Sequence, residues 1–97
     1  MVKVIAKFIA KDKEVENIKE LFAKIVPLVR KEDGNITYNL YQDVQNRNIV
    51  TMIEEWKNIE LLDAHMQTAL IQDVLEKIEK HTVNVEISIY SLLIWHF

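Results

Sequence analysis

Residues 48–68, NIVTMIEEWKNIELLDAHMQT, read as a strand, a sharp turn and a helix. Ile49, Val50, Met52 and Ile53 form a β-favouring apolar run that Glu54, Glu55 and Trp56 bring to an end. Asn58 is a good helix N-cap, and Ile59, Leu62 and Met66 then recur at helical spacing. Trp56 at a strand end and His65 in the next helix are placed to line one cleft.

Working outward, residues 2–10 alternate as a first strand. Val2, Val4, Ala6 and Phe8 share one face, and Lys3, Ile5, Lys7 and Ile9 the other. Asp12 or Lys13 starts a helix, with Asp12 as its cap. Val15, Ile18, Leu21, Phe22, Ile25, Val26 and Val29 form its sheet-packing stripe. Pro27 is expected to kink the last turns or end the segment, and Gly34 to take the left-handed exit conformation. Residues 35–43 form a second strand, in which Tyr38 and Tyr41 fall on opposite faces. A polar turn over Val44–Arg47, with Asn46 or Asn48 at positive φ, leads into the third strand as an antiparallel hairpin.

Past Met66, Thr68 caps a second helical segment whose stripe is Leu70, Ile71, Val74, Leu75 and Ile78. The last strand runs from Thr82 to about Ile94, followed by an apolar tail through Trp95 and Phe97. The order is β-α-β-β-α-β, a ferredoxin-like α+β split with an antiparallel sheet. Helices cover one sheet face. The other face is also apolar along strands one and three, so a second copy of the sheet is expected to cover it, giving a homodimer through sheet faces.

The chain has 97 residues, enough for one domain spanning 1–97. A chain this short buries only about 60–65% of its unfolded surface, so dimerisation would help it. Net charge is −3 with no basic stripe, which excludes a nucleic-acid footprint. No apolar run approaches the roughly 20 residues that cross a bilayer. Cysteine is absent, excluding disulfides, thiolate metal sites and a cysteine nucleophile. That absence fits a reducing compartment, and MVKVIAKFIAKDK carries lysines inside its apolar run and no signal-peptide core, so the chain reads as cytoplasmic.

Gly34 is the only glycine, so no glycine-rich loop cradles a phosphate. His65, His81 and His96 share no metal-ligand spacing, and Glu54 and Glu55 point to opposite faces of a strand. We therefore expect neither cofactor nor metal. His81 reads as a solvated residue near a helix C-terminus and His96 as a tail residue.

The E-E-W of Glu54–Trp56, a short turn, and the L-D-A-H-M of Leu62–Met66 resemble the antibiotic biosynthesis monooxygenase (ABM) family of small dimeric α/β-barrel proteins. Residues 34–43, GNITYNLYQD, are similar to that family's second strand, and the likeness runs back to the N-terminal strand. The resemblance implies a dimeric α/β barrel. It also implies a cofactor-independent monooxygenase acting with molecular oxygen on a small phenolic, quinol or enolisable substrate. In such chemistry the substrate supplies the electrons. The protein binds it in a dry pocket, removes a proton and stabilises the anion.

The departures are specific. Polyketide-modifying members carry Asn four residues before the strand-end Trp and Tyr six after it, where this chain has Met52 and Leu62. In haem-degrading relatives the site Asn, Trp and His fall, in ungapped register, near Lys7, His65 and Leu75, and none matches. Many members have a second His five residues after the first, where this chain has Leu70.

Candidate catalytic residues are His65, as proton acceptor or anion stabiliser, and Trp56. Candidate substrate contacts are Tyr38, Met52, Leu62 and Met66. Each has a plainer reading. Trp56 can be a packing anchor, the methionines core filler, and His65 a half-exposed helix residue flanked by the solvent-facing Asp63 and Gln67. The alternative function is a non-catalytic dimeric small-ligand-binding or stress-response protein of the same fold.

Overall fold

A computed structural model describes residues 1–94. The elements are β1 (Val2–Ala10), α1 (Val15–Val29), β2 (Asn35–Gln42), β3 (Ile49–Trp56), α2 (Ile59–Met66), α3 (Ala69–Glu79) and β4 (Thr82–Ser91). One antiparallel sheet of order β2-β3-β1-β4 carries three helices, the expected ferredoxin-like α+β arrangement. Among the described residues, no helix is long and apolar enough to cross a membrane.

Strand alternation decides which side chains meet the helices. Val4, Ala6, Phe8 and Ala10 of β1 are buried, as are Val50, Met52, Glu54 and Trp56 of β3. They pack against Ile18, Phe22, Ile25 and Val29 of α1 and Ile71, Val74 and Ile78 of α3. The Phe8 and Phe22 rings lie 5.3 Å apart in a tilted pair. Each buried aromatic or aliphatic side chain here contributes roughly 1.5–3 kcal/mol. Tyr38, Glu54, Val4 and Ile89 form one row across the sheet, all on the helix side.

The helix caps follow the sequence closely in α2 and α3. Asn58 accepts from the Leu61 amide at 2.9 Å, and Thr68 from the Ile71 amide at 3.3 Å. Several other expectations are corrected. α1 starts at Val15 with Glu14 as its cap and no side-chain capping bond, because Lys13 takes the turn at φ 65°. Pro27 neither ends nor splits α1, which runs on to Val29. Proline removes one donor, but the tertiary contacts of Ile25 and Val29 hold the last turn in place. In the β2–β3 turn, neither Asn46 nor Asn48 has positive φ. Instead the Asp43 carboxylate accepts from the amides of Gln45 and Asn46 at 2.8 and 2.9 Å.

β3 runs through Glu54 and Glu55 and ends at Trp56, the expected strand-end tryptophan. β4 ends at Ser91, short of the expected Ile94; Trp95, His96 and Phe97 lie outside the described residues. Val85, Ile87 and Ile89 pair with Phe8, Ala6 and Val4 and so face the helix side, yet they are 38%, 46% and 53% exposed. The helices stop short of this edge strand. His81 is half-buried, with Nδ1 2.9 Å from Glu14 Oε2, and ties the end of α3 to the start of α1.

Candidate active site

His65 is 2% exposed, not the boundary residue its flanks suggest. The α2 helix turns it inward beside Leu62, while Asp63 and Gln67 remain outside. Three side chains of the sheet meet the ring. Trp56 stacks at a tilt, centroids 4.6 Å apart, and Tyr38 meets it edge-on at 5.9 Å. Glu54 Oε1 lies 4.0 Å from His65 Nε2. A fourth residue reaches in from the turn after α1: Glu32 Oε1 is 2.8 Å from His65 Nδ1. The imidazole therefore has a carboxylate beside each nitrogen.

Glu54 is held by Trp56, whose indole N–H donates to Glu54 Oε1 at 2.9 Å. Burial pushes the Glu54 carboxyl up to about 7; the Trp56 bond pulls it down and the Glu32 charge adds to the rise. Burial also raises the Tyr38 phenol above its ordinary value, helped by the charges of Glu54 and Glu32, so it keeps its proton and is a donor. Among the described residues, two buried side-chain polar atoms lack a hydrogen-bond partner, Tyr38 Oη and His65 Nε2. Native interiors tolerate few such atoms, and each needs a reason.

The two residues line the same cavity. It is bounded by Tyr38, Met52, Glu54, His65 and Met66 near the chemistry, and by Leu75 and Ile87 towards the β4 edge. Its volume is about 20 Å³, room for about one water molecule. A larger groove of about 370 Å³ lies across Phe22, between α1 and the β2–β3 hairpin. Its polar side chains, Glu16, Lys19 and Gln42, are all exposed, so it offers no desolvated group for chemistry. The small cavity is the better candidate despite its size.

Four of the six sequence candidates, His65, Tyr38, Met52 and Met66, thus meet at one cavity. Trp56 and Leu62 are not on its wall. Both are fully buried: Trp56 backs the His65 ring, and Leu62 belongs to the core. Tyr41, on the other face of β2, is exposed. Glu54 and Glu32 were not among the sequence candidates. Glu54 carried a signal, since it shares the inward phase of Met52 and Trp56. Glu32, in a turn 33 residues from His65, carried none. Among the described residues no set of three His, Asp or Glu side chains converges on one point as metal ligands. Glu32 and Glu54 flank opposite edges of the imidazole, so they do not chelate with it.

The profile of the antibiotic biosynthesis monooxygenase family matches residues 1–77. The chain is 35% identical over 77 residues to "Probable quinol monooxygenase YgiN" of Escherichia coli K12, covering 70% of this chain and 73% of that one. It is 38% identical over 48 residues to the uncharacterised Synechocystis protein sll1783, covering 50% of this chain and only 33% of that protein. Among solved structures, a conserved protein from Methanosarcina mazei Go1 superposes with TM-score 0.88 at 31% identity, covering 92% of this chain and 89% of that one. A structure described as an antibiotic biosynthesis monooxygenase superposes with TM-score 0.87 at 24% identity, over 96% of this chain and 99% of that one, and shares the fold.

Proposed function

Because the chain belongs to the antibiotic biosynthesis monooxygenase family, we propose that it is a cofactor-independent monooxygenase for a small phenolic, quinol or enolisable substrate. The observation that carries this reading is the buried, unpartnered Nε2 of His65, a residue that lines a cavity together with a phenol donor and a carboxyl group. A substrate hydroxyl satisfies both orphan atoms. It gives its proton towards Nε2, and the resulting oxyanion accepts from Tyr38 Oη–H. The name of the E. coli relative, "Probable quinol monooxygenase YgiN", supports the same class.

The reaction balances without an external reductant. His65 Nε2 takes the substrate proton. The electron-rich anion reduces oxygen and forms a C–O bond, giving a peroxide. Proton return and loss of the remaining C–H proton break the O–O bond. One oxygen stays as a carbonyl and the other leaves as water. A protonated Glu54, beside His65, is suited to the proton return.

The cavity has room for about one water, not for an aromatic ring. Entry therefore requires its rim to open, and Met66 with its unbranched side chain is the most adaptable part of that rim. We further propose that the protein acts as a homodimer through sheet faces, supported by the half-buried Ile5, Ile9, Ile49 and Ile53 on the sheet face opposite the helices and by the exposed Leu92–Ile94.

Oxygen uptake with a panel of quinols and enolisable phenols, without added flavin, metal or haem, tests the reading. Substrate-dependent uptake is expected in the wild type, with His65→Gln slower by roughly 10²–10⁴-fold. His65→Gln within about threefold of wild type removes His65 from the mechanism, given that general-base loss costs far more. No uptake alongside binding of an aromatic ligand makes the protein a ligand-binding member of the fold.

A further inference from the structure

We propose that Glu32 is the positioning residue for His65: it fixes the neutral imidazole with its proton on Nδ1 and its lone pair on Nε2, facing the cavity. This rests on the reading of His65 as proton acceptor, but its structural half stands apart from any activity.

The turn that carries Glu32 is pinned on several sides. The Glu32 amide donates to Val29 O at 2.9 Å, and Glu32 O accepts from the Asn35 amide at 3.2 Å. Gly34, at φ 84°, turns the chain back towards the sheet. Its carbonyl accepts from the Lys57 amide at 2.8 Å, fastening the turn beside the start of α2. Leu61 of α2 packs so closely on Gly34 that a Cβ there would meet it. Turn and helix are thus held as one unit, and the Glu32 side chain crosses to His65 Nδ1 at 2.8 Å.

A carboxylate only accepts, so Nδ1 must donate. In a neutral imidazole the other nitrogen is then bare, which matches Nε2 as a buried atom without a partner. The remaining groups around the ring do not compete for that lone pair. Trp56 N–H is committed to Glu54, the Trp56 and Tyr38 contacts are through rings, and Glu54 Oε1 is 4.0 Å from Nε2. Once Nε2 takes a proton, the imidazolium lies between two carboxyl groups. The Glu32 side chain is 22% exposed against 1% for His65, so Glu32 is also the end of the pair that meets solvent.

The test is nitrogen-15 NMR of the His65 ring, assigned by loss of its signals in His65→Gln. The wild type should show the Nδ1–H tautomer. Glu32→Gln, whose amide oxygen still accepts, should keep it. Glu32→Ala should move the proton to Nε2 or give a mixture. With a substrate in hand, Glu32→Ala should lower kcat by about tenfold or more with little change in KM, and Glu32→Gln should recover part of it. An Nε2–H tautomer in the wild type, or an unchanged Nδ1–H tautomer in Glu32→Ala, overturns the proposal. The wild-type measurement decides even if Glu32→Ala does not fold. A correct tautomer response with unaltered kcat would instead count against His65 as the base and leave Glu32 as its anchor.

Discussion

Trp56 and Glu54 stand two residues apart on β3, and the indole N–H of one donates to the carboxyl of the other at 2.9 Å. Both occupy the inward phase of the strand, so a tryptophan that would otherwise bury an unpaired N–H and a carboxyl that would otherwise be buried alone satisfy each other. The pair then forms the floor and one flank of the His65 site.

That carboxyl should make stability fall as pH rises. Its folded-state pKa of about 7 lies above the ordinary 4.5, so the native state holds the proton more tightly than the unfolded chain. The resulting stabilisation is fully present below about pH 4.5 and lost as pH rises through about 7, at most on the order of 3 kcal/mol. Glu14 and Asp43 act in the opposite sense at lower pH. Hydrogen bonds hold both carboxyls below their ordinary values, chiefly from the Asn17 side chain and the Asn46 amide; Asp43 is exposed and Glu14 half-buried. Glu54→Gln keeps an acceptor for Trp56 and should flatten the Tm profile between about pH 5 and pH 8. Parallel profiles for wild type and variant would exclude Glu54 as the titrating group.

Tyr38→Phe should separate stability from function. The hydroxyl is buried without a partner, so removing it should leave stability unchanged or raise it by up to about 1 kcal/mol. The same change should slow oxygen uptake by roughly 10²-fold if the hydroxyl stabilises the substrate anion. Urea denaturation showing a loss of more than about 1 kcal/mol would mean the hydroxyl is already bonded in the free protein.

Gly34→Ala should destabilise the chain by about 1–3 kcal/mol through backbone strain alone. Gly34 sits at φ 84°, and a Cβ built there lies 2.8 Å from Leu61 Cβ. The clash between turn and α2 adds to that strain, and it should also disturb the Glu32–His65 contact. An unchanged urea midpoint would show that the turn relaxes freely.

The homodimer proposal is checked by sedimentation at micromolar concentration. The expected species has twice the 11.5 kDa chain mass. A single 11.5 kDa species would rule the dimer out.

Much of the frame was legible because it rests on local rules. The caps Asn58 and Thr68 and the opposed placement of Tyr38 and Tyr41 need only spacing and side-chain chemistry. The start of α1 was missed because a positive φ at Lys13, a conformation that a non-glycine residue seldom takes, displaced the Asp12 cap. The burial of His65 was missed because its neighbours Asp63 and Gln67 are solvent-facing. Both lie two residues from His65, about 200° around the helix, so their exposure is compatible with an inward His65.

By itself, the sequence determined the order of elements, the alternation of faces along the strands and the placement of Trp56 at a strand end with His65 in the next helix. Periodicity is a property of the chain alone, and it decides faces. Only the tertiary structure decided what touches His65. Glu32 comes from a turn 33 residues away, and Glu54 comes from a strand where charge at an inward position ordinarily argues against burial. Their approach depends on how α2 packs across β3 and the α1–β2 turn. No local pattern encodes that distance, because it is set by the packing of the whole core.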